Sequence, residues 1–214
     1  MSLWCILKTN MQPTAIARAL SPFTPHLSPA QLQQTSAYLD LLLKWNSKIN
    51  LTAVRNPEEI VPRHFGESLF VARQLFPRPI AESVIDVGSG AGFPGLPLRI
   101  WNDAADLTLI ESSQKKAVFL RELVRTLGLD RVSIETARAE KAAVRAELVT
   151  LRAVERFDQI LQTAHGLLKP SGRLALLIGE SQVKIAQSAL PELDWQSPVS
   201  IPLSQNRTLL IGAR

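Results

Sequence analysis

A short apolar run that ends in an acid and then breaks into glycines constrains this chain most: Ser83-Val84-Ile85-Asp86-Val87 followed by Gly88-Ser89-Gly90-Ala91-Gly92-Phe93-Pro94-Gly95. The run has the length and β-branched content of a buried strand. Four glycines within eight residues let the backbone turn sharply and approach a ligand, and the apolar stretch after them reads as a helix. A strand–glycine turn–helix unit of this kind belongs to parallel α/β sheets, where ligands bind beyond the carboxyl ends of the strands.

The rest of the chain keeps that alternation. Leu107-Thr108-Leu109-Ile110-Glu111 reads as a second strand, followed by a helix near 113–127, a strand near 132–136 and a short helix near 139–146. A strand near 148–152, a helix near 155–167, a strand over 173–178 and a helix near 181–189 come next. Strands alternating with helices predict a doubly wound, mainly parallel sheet. The last two strands, near 195–200 and 207–212, are separated by Pro202-Leu203-Ser204-Gln205, too short for a crossover, so they should pair antiparallel.

Upstream of residue 80 the period is helical. Ser28-Pro29-Ala30-Gln31 carries an N-cap, a proline at the first helical position and a capping-box glutamine, predicting a helix to about Asn46 with Leu32, Leu39, Leu42 and Leu43 inward. Asn56-Pro57 offers a second cap, and Pro62 precedes a helix holding His64, Leu69, Val71 and Leu75. Residues 14–76 read as all-helical. The expected organisation is a helical extension over 1–80 and an α/β domain over 81–214, with residues 1–10 an upstream start and Met11 an alternative initiator.

The glycine loop is the expected cofactor site, and two cofactor classes compete for it. Gly90 to Gly95 fits the dinucleotide pattern of three spaced glycines. However, Pro94 removes a backbone donor where a pyrophosphate would need one, and Asp86 puts a carboxylate beside the loop. A cationic adenosine compound, S-adenosylmethionine, suits that arrangement better. Glu111, ending the next strand, stands where a carboxylate accepts ribose hydroxyls.

Several classes are excluded or disfavoured by counting. One cysteine, Cys5, forbids an internal disulfide and a cysteine-built zinc site, and three histidines lack partners at metal-ligand spacing, so no metal is expected. No apolar run approaches the roughly 18 residues of a membrane span, and no secretory leader is visible, which predicts a cytoplasmic protein. The net charge is +5, and residues 1–80 hold eight basic against four acidic side chains, a bias that suits a polyanionic partner.

Five blocks taken in order resemble one family. They are Trp45-Asn46 with Asn50-Leu51-Thr52, Arg63-His64 and Glu67-Ser68-Leu69; Asp86 through Pro97; Glu111-Ser112 with Lys115-Lys116 and Phe119-Leu120; Ala139-Glu140; and Arg152-Ala153. The stretch from about Tyr38 to Gly179 is similar to the small-subunit ribosomal RNA methyltransferase G family, also called glucose-inhibited division protein B.

The resemblance implies a class I, Rossmann-like methyltransferase that transfers a methyl group from S-adenosylmethionine to N7 of a guanine in 16S ribosomal RNA, in the small ribosomal subunit. It implies cofactor contacts at Gly88, Phe93, Ala139, Glu140 and Arg152, with Glu111 on the ribose. Asp86 and Gly90 join them from the loop reading. Asn50, His64, Lys115 and Arg152 are candidates to face RNA, and a monomer is expected. Departures are Glu67, where the family usually has Asp, and Ile178-Gly179, where it has Lys-Gly.

Plain structural readings stand beside these assignments. Arg152 can simply pair with Glu140 or Glu155, His64 can be a packing histidine, and Asn46 and Asn50 can bridge helices. Guanine N7 carries a lone pair and no proton, so no catalytic base is required, and none is assigned. A small-molecule methyltransferase and a non-catalytic RNA-binding factor remain the alternatives.

Overall fold

The computed structural model describes residues 11–24, 26–152 and 157–214. Cys5, Ala153 and Glu155, and the question of whether Met1 or Met11 is the start, involve positions outside that set.

The extension opens with α1 (Pro13–Leu20) and α2 (Pro29–Asn46). Helix α2 begins as the capping box requires: Ser28 Oγ accepts the Gln31 N–H at 3.2 Å and Gln31 Oε1 accepts the Ser28 N–H at 2.9 Å. The Gln31 side-chain amide also donates to the Ile100 carbonyl at 3.0 Å, so the cap docks the extension onto the α/β layers. Leu39 and Leu42 are fully buried, while Leu32 and Leu43 pack partly buried at the margin of the same core. Asn56 caps α3 (Pro57–Ile60) by accepting the Glu58 N–H.

Between α3 and α4 (Glu67–Leu75) the chain runs through six residues of π-helix, Val61–Gly66, where a boundary at Pro62 followed by a helix holding His64 was expected. The wider turn carries Arg63 and His64; π-helical turns often sit at functional sites. Gly66 closes it against the turn that follows α1: a β-carbon there would lie 2.6 Å from the Phe23 ring.

The strands are β1 (Ser83–Val87), β2 (Asp106–Ile110), β3 (Val132–Glu135), β4 (Ala146–Arg152), β5 (Leu168–Gly179), β6 (Asp194–Trp195), β7 (Val199–Ser200) and β8 (Arg207–Ala213). The helices among them are α5 (Gly95–Trp101), α6 (Gln114–Thr126), α7 (Phe157–Gly166) and α8 (Glu180–Ala189). The sheet order is β3-β2-β1-β4-β5-β8-β6, with β7 also on β8. The first five strands are parallel, and β8 inserts antiparallel between β5 and the short outer strands.

Side chains alternate between two cores, as a pleated sheet covered on both faces must arrange them. Val84, Leu107, Leu109, Leu148, Ala175, Leu177 and Leu209 join one cluster with Tyr38, Phe65, Leu96 and Phe119. Ile85, Val87, Ile110, Val149, Leu151, Leu174, Leu176 and Leu210 join the other with Leu161 and Ala186. The first cluster is continuous from α1 to the sheet.

Three expectations need correction. The helix expected near 139–146 is a single 3-10 turn, Ala139–Lys141, because β4 already starts at Ala146. Strand β5 begins five residues before 173, running through Pro170-Ser171-Gly172 with Ser171 at φ 60° and a register shift opposite Ala146/Leu148. The strand expected near 195–200 is split in two around Gln196, Ser197 and Pro198, and proline has no N–H for a ladder. Among the described residues no helix is long and apolar enough to cross a membrane.

Candidate active site

The glycine loop leaves β1 at the point where the sheet order reverses, with β2 on one side of β1 and β4 on the other. Gly88, Gly90 and Gly92 have φ of 68°, 58° and 91°, a region that strains other residues. The loop turns most of its donors inward. Gly88 and Ser89 N–H both donate to the Ile110 carbonyl (2.9 and 3.1 Å), Gly92 N–H to the Ser89 carbonyl (2.7 Å) and Gly90 N–H to Glu111 Oε2 (2.9 Å).

Asp86 sits behind this loop and is 1 % exposed. Its Oδ2 accepts the Gly95 N–H at 3.3 Å and its Oδ1 the Thr150 hydroxyl at 2.8 Å. A β-carbon on Gly95 would meet Asp86 Oδ2 at 2.8 Å, so glycine is what allows the helix start to close on the acid. Burial pushes the Asp86 carboxyl up to about 6, against the hydrogen bonds from Thr150, Ser89 and Gly95. Asp86 therefore braces the turn from inside instead of lining the cleft.

Glu111, also buried, bridges the loop to the next helix: Oε2 takes Gly90 N–H and Oε1 takes Ser113 N–H at 2.7 Å, while Ser113 caps α6. Beyond β3, Ala139 is buried as part of the second core and Glu140 is exposed.

The extension closes the loop from the other side. The Tyr38 hydroxyl donates to the Ala91 carbonyl at 2.6 Å. Its ring stacks on Phe93 at 5.0 Å and 10°, and Phe65 meets both rings edge-on. Desolvation, with Asp86 adding to it, raises the Tyr38 pKa well above normal, so the hydroxyl remains a donor.

Next to Phe93 lies a polar cluster. Arg152, at the end of β4, donates through Nη2 to Glu67 Oε2 at 2.8 Å and to the Arg63 carbonyl at 2.6 Å, and its guanidinium carbon lies 5.9 Å from the Phe93 ring centre. Arg207, opening β8, reaches the same Glu67 oxygen at 3.1 Å. His64 contacts Arg152 Nη2 through Nδ1 at 3.3 Å and Thr52 Oγ1 through Nε2 at 2.7 Å. Burial first, then the charges of Arg152, Arg63 and Arg207, lower the His64 pKa to about 3.

A cavity of about 280 Å³ joins these groups: its wall includes Gly88, Gly90, Phe93, Arg63, His64, Arg152, Arg207 and Lys116, together with Thr52. Among the described residues no Asp or Glu lines it. Of the residues expected to form the site, Gly88, Gly90, Phe93, His64 and Arg152 thus come together.

The remaining candidates fall elsewhere. Lys115 is exposed and it is Lys116, one residue on, that reaches the cavity wall; Asn50 is exposed and outside it. Asn46 does the bridging instead, its Oδ1 accepting the N–H groups of Leu51 and Thr52 at 2.9 and 3.0 Å. Arg152 pairs with Glu67, not Glu140. Ile178 is buried in the second core, facing away from the polar cluster.

Sequence reasoning passed over Thr52, Arg63, Glu67 and Tyr38 as functional groups although all lie in or beside the family blocks. Arg207 had no local signal: it is one cation after a short loop, brought in by strand pairing.

A family model described as "GidB: rRNA small subunit methyltransferase G" matches residues 31–202. A protein from Roseiflexus sp. (strain RS-1) named ribosomal RNA small subunit methyltransferase G is 37% identical over 201 residues, covering 88% of this chain and 85% of that one. Another of the same name from Halorhodospira halophila is 40% identical over 194 residues, covering 88% and 90%.

Among solved structures, a ribosomal protein L11 methylase from Lactobacillus delbrueckii superposes with TM-score 0.60 at 14% identity, covering 71% of this chain and 79% of that one. A SAM-dependent methyltransferase from Aquifex aeolicus gives TM-score 0.58 at 15% identity, covering 74% and 93%. The fold is the Rossmann-like class I methyltransferase fold, and the chain belongs to the rRNA small subunit methyltransferase G family.

Proposed function

We propose that this methyltransferase takes S-adenosylmethionine at the glycine loop and methylates N7 of a guanine in small-subunit ribosomal RNA. The observation that carries the reading is the cavity wall, which joins the loop to four cationic side chains, Arg63, Lys116, Arg152 and Arg207, with no carboxylate among the described residues. Cations suit the phosphates of an RNA partner. A wall of this kind, together with a His64 whose two ring nitrogens are both engaged, suits an acceptor atom that has no proton to lose.

The loop fits S-adenosylmethionine better than a dinucleotide. The amides of Gly88, Ser89, Gly90, Gly92 and Gly95 are spent inside the protein, and Pro94 has none, so little remains to cradle a pyrophosphate. Only the Gly88 carbonyl lies within 4 Å of a β-carbon built on Gly90, which leaves open space above the turn. Gly88, Gly90 and Phe93 would hold the aminoacyl end, Glu111 the ribose, and Ala139-Glu140 the adenine side. Asp86 supports them from behind the loop.

When bound, S-adenosylmethionine would supply an electrophilic methyl group with a thioether as its leaving group, for an acceptor that brings its own lone pair. The chain's own task is placement. Arg152, held by Glu67 and the Arg63 carbonyl, and Phe93, held by Tyr38 and Phe65, are rigid walls for a base. Positioning of this kind supplies ~7 to 11 kcal/mol in well-oriented reactions.

Mapping of modified guanines by mass spectrometry, in small-subunit RNA from cells with and without the gene, tests the reading. One N7-methylguanine should disappear with the gene and return with purified protein and S-adenosylmethionine. A modification pattern that does not change rules it out.

A further inference from the structure

A second cavity, of about 480 Å³, adjoins the first. Arg63 and Arg207 line both, so these two residues form a shared wall between them. The far side is built by Phe23, Glu59 and Pro62 of the extension and by the loop from β7 to β8, Pro202 to Asn206.

The charges of the two spaces differ. Each arginine gives one N–H to a carboxylate in the second cavity's wall, Arg63 to Glu59 at 3.2 Å and Arg207 to Glu67 at 3.1 Å. The second cavity therefore balances two cations with two carboxylates, whereas the first has cations alone among the described residues. A guanidinium carries five N–H donors, so one such bond leaves both arginines able to hold an anion at the partition. Beyond it the balanced wall, with Ser204, Gln205 and Asn206, suits an uncharged group whose edge both gives and takes hydrogen bonds, as a base does.

Leu203 is 74 % exposed on the rim of this cavity, and its φ of 58° puts a bulky residue in the left-handed region. The loop is closed beneath it: Ser204 N–H donates to the Ile201 carbonyl at 3.2 Å and Ile201 N–H to the Arg207 carbonyl at 3.1 Å. A strained, solvent-facing leucine on a fixed loop gains free energy only when a flat or apolar surface covers it.

In RNA one phosphodiester joins each nucleoside to the next. A target guanine in the first cavity therefore brings a phosphate to the partition and its neighbour's base to the second cavity; bases of unpaired RNA can be splayed apart in this way. We propose that the second cavity is the subsite for the nucleotide adjoining the target guanine, with Arg63 and Arg207 on the linking phosphate and Leu203 packed on the neighbour's base. This rests on the guanine-N7 reading above.

The test uses the full-length enzyme and small subunits rebuilt with RNA in which the nucleotide before or after the target guanine is abasic, the backbone being intact. One of the two deletions should lower wild-type kcat/KM roughly 10- to 100-fold, mainly through KM, and the other should leave it nearly unchanged. Leu203→Gly, which relieves the positive φ, should lose about 10-fold on intact RNA, the scale of one apolar side chain, and its penalty for the missing base should shrink by the same factor. Leu203→Met should keep the full penalty. The Kd for S-adenosylmethionine should stay within about twofold in both variants.

A wild-type enzyme indifferent to both abasic positions overturns the subsite while leaving the guanine-N7 reading in place. A Leu203→Gly enzyme that loses activity yet keeps the full abasic penalty also overturns it, in favour of a protein contact at this loop. A wild-type enzyme that leaves guanine N7 unmethylated in intact subunits overturns the guanine-N7 reading and the subsite with it. Because the decisive quantity is the coupling between side chain and base, a general loss of fold or activity in the glycine variant does not imitate it.

Discussion

Glu67 Oε2 stands 2.8 Å from Arg152 Nη2, and the two side chains are 6 % and 5 % exposed. One belongs to α4 of the extension and the other to the end of β4, so this ion pair fastens the helical layer to the sheet beside the cleft. Arg207 adds a second cation to the same carboxylate.

Removing one member of a buried pair leaves an uncompensated charge in a poor solvent for it. Glu67→Ala should therefore cost about 3–5 kcal/mol in urea unfolding. Replacing both residues, Glu67→Leu with Arg152→Met, should cost much less in stability while abolishing methyl transfer. Equal destabilisation by the single and double variants would show that packing, and not charge, holds this junction.

Tyr38 and Gly92 should behave as a coupled pair. Tyr38→Phe leaves the Ala91 carbonyl without its buried partner, a loss of ~1 to 3 kcal/mol. Gly92→Ala brings a β-carbon to 2.5 Å from the Tyr38 oxygen at a φ of 91°. Thermal melts of both singles and the double should be clearly non-additive, because Tyr38→Phe removes one of the clashing atoms. Additive shifts would mean that the aromatic stack and the glycine turn are independent.

His64 makes acid stability a test of the polar cluster. Its native pKa, lowered to about 3, lies below the unfolded value of 6.5, so the unfolded chain takes up the proton first. The stabilisation is complete above about pH 6.5 and is lost as pH falls toward 3. His64→Gln should flatten the fall in unfolding free energy between about pH 6.5 and 4. Nitrogen-15 imidazole shifts at about pH 5 should report a neutral ring; a doubly protonated ring there refutes the assignment.

Asp86 acts in the opposite direction over part of that range. Its native pKa, pushed up to about 6 from 3.8, means the folded state holds the proton more tightly. Its contribution is present below about pH 4 and lost as pH rises through 6. Asp86→Asn should gain stability relative to wild type as pH goes from about 4 to 7, by about 3 kcal/mol. A pH-independent difference would place the titration elsewhere.

Glu111 gives the most direct check of cofactor binding. Glu111→Ala removes the carboxylate from the end of β2 and should weaken S-adenosylmethionine by roughly 10- to 100-fold, equivalent to about 1.5–3 kcal/mol of charged hydrogen bonding. Isothermal titration measures it. Affinity within twofold of wild type would move the ribose away from this acid.

Much of the sheet was legible because each strand is short, apolar and followed by its own punctuation. The capping box at Ser28 and the glycines after Val87 act on their immediate neighbours, and local signals of this kind are readable in one dimension. Strand β5 was shortened in the reading because Pro170-Ser171-Gly172 is turn-like, yet Leu168 before it and Arg173 after it both pair with β4, across a register shift. Lys115 and Lys116 differ by about 100° around α6, and only the position of the helix against the loop says which one turns inward.

The cleft itself was half legible. The loop and Glu111 announce a ligand by residue type and position. The Glu67–Arg152 pair and the Thr52–His64–Arg152 chain join residues separated by much of the molecule, and no spacing rule connects them. Asp86 shows the reverse limit: its type and location were read correctly, but whether a carboxylate at a strand end faces the ligand or the helix behind it depends on atoms a single sequence does not position.

The placement of β8 has a consequence for biosynthesis. Arg207 meets Glu67 across 140 positions, and its strand pairs with β5 on one side while β6 and β7 join the sheet only through it. A polypeptide emerging from the ribosome can form α2 and the first parallel strands early, but it holds no finished cleft until β8 has been released. Such nonlocal closure favours slow folding, so this enzyme gains its activity late, and a chaperone that delays aggregation of the open sheet should raise the yield of active protein more than one that accelerates helix formation.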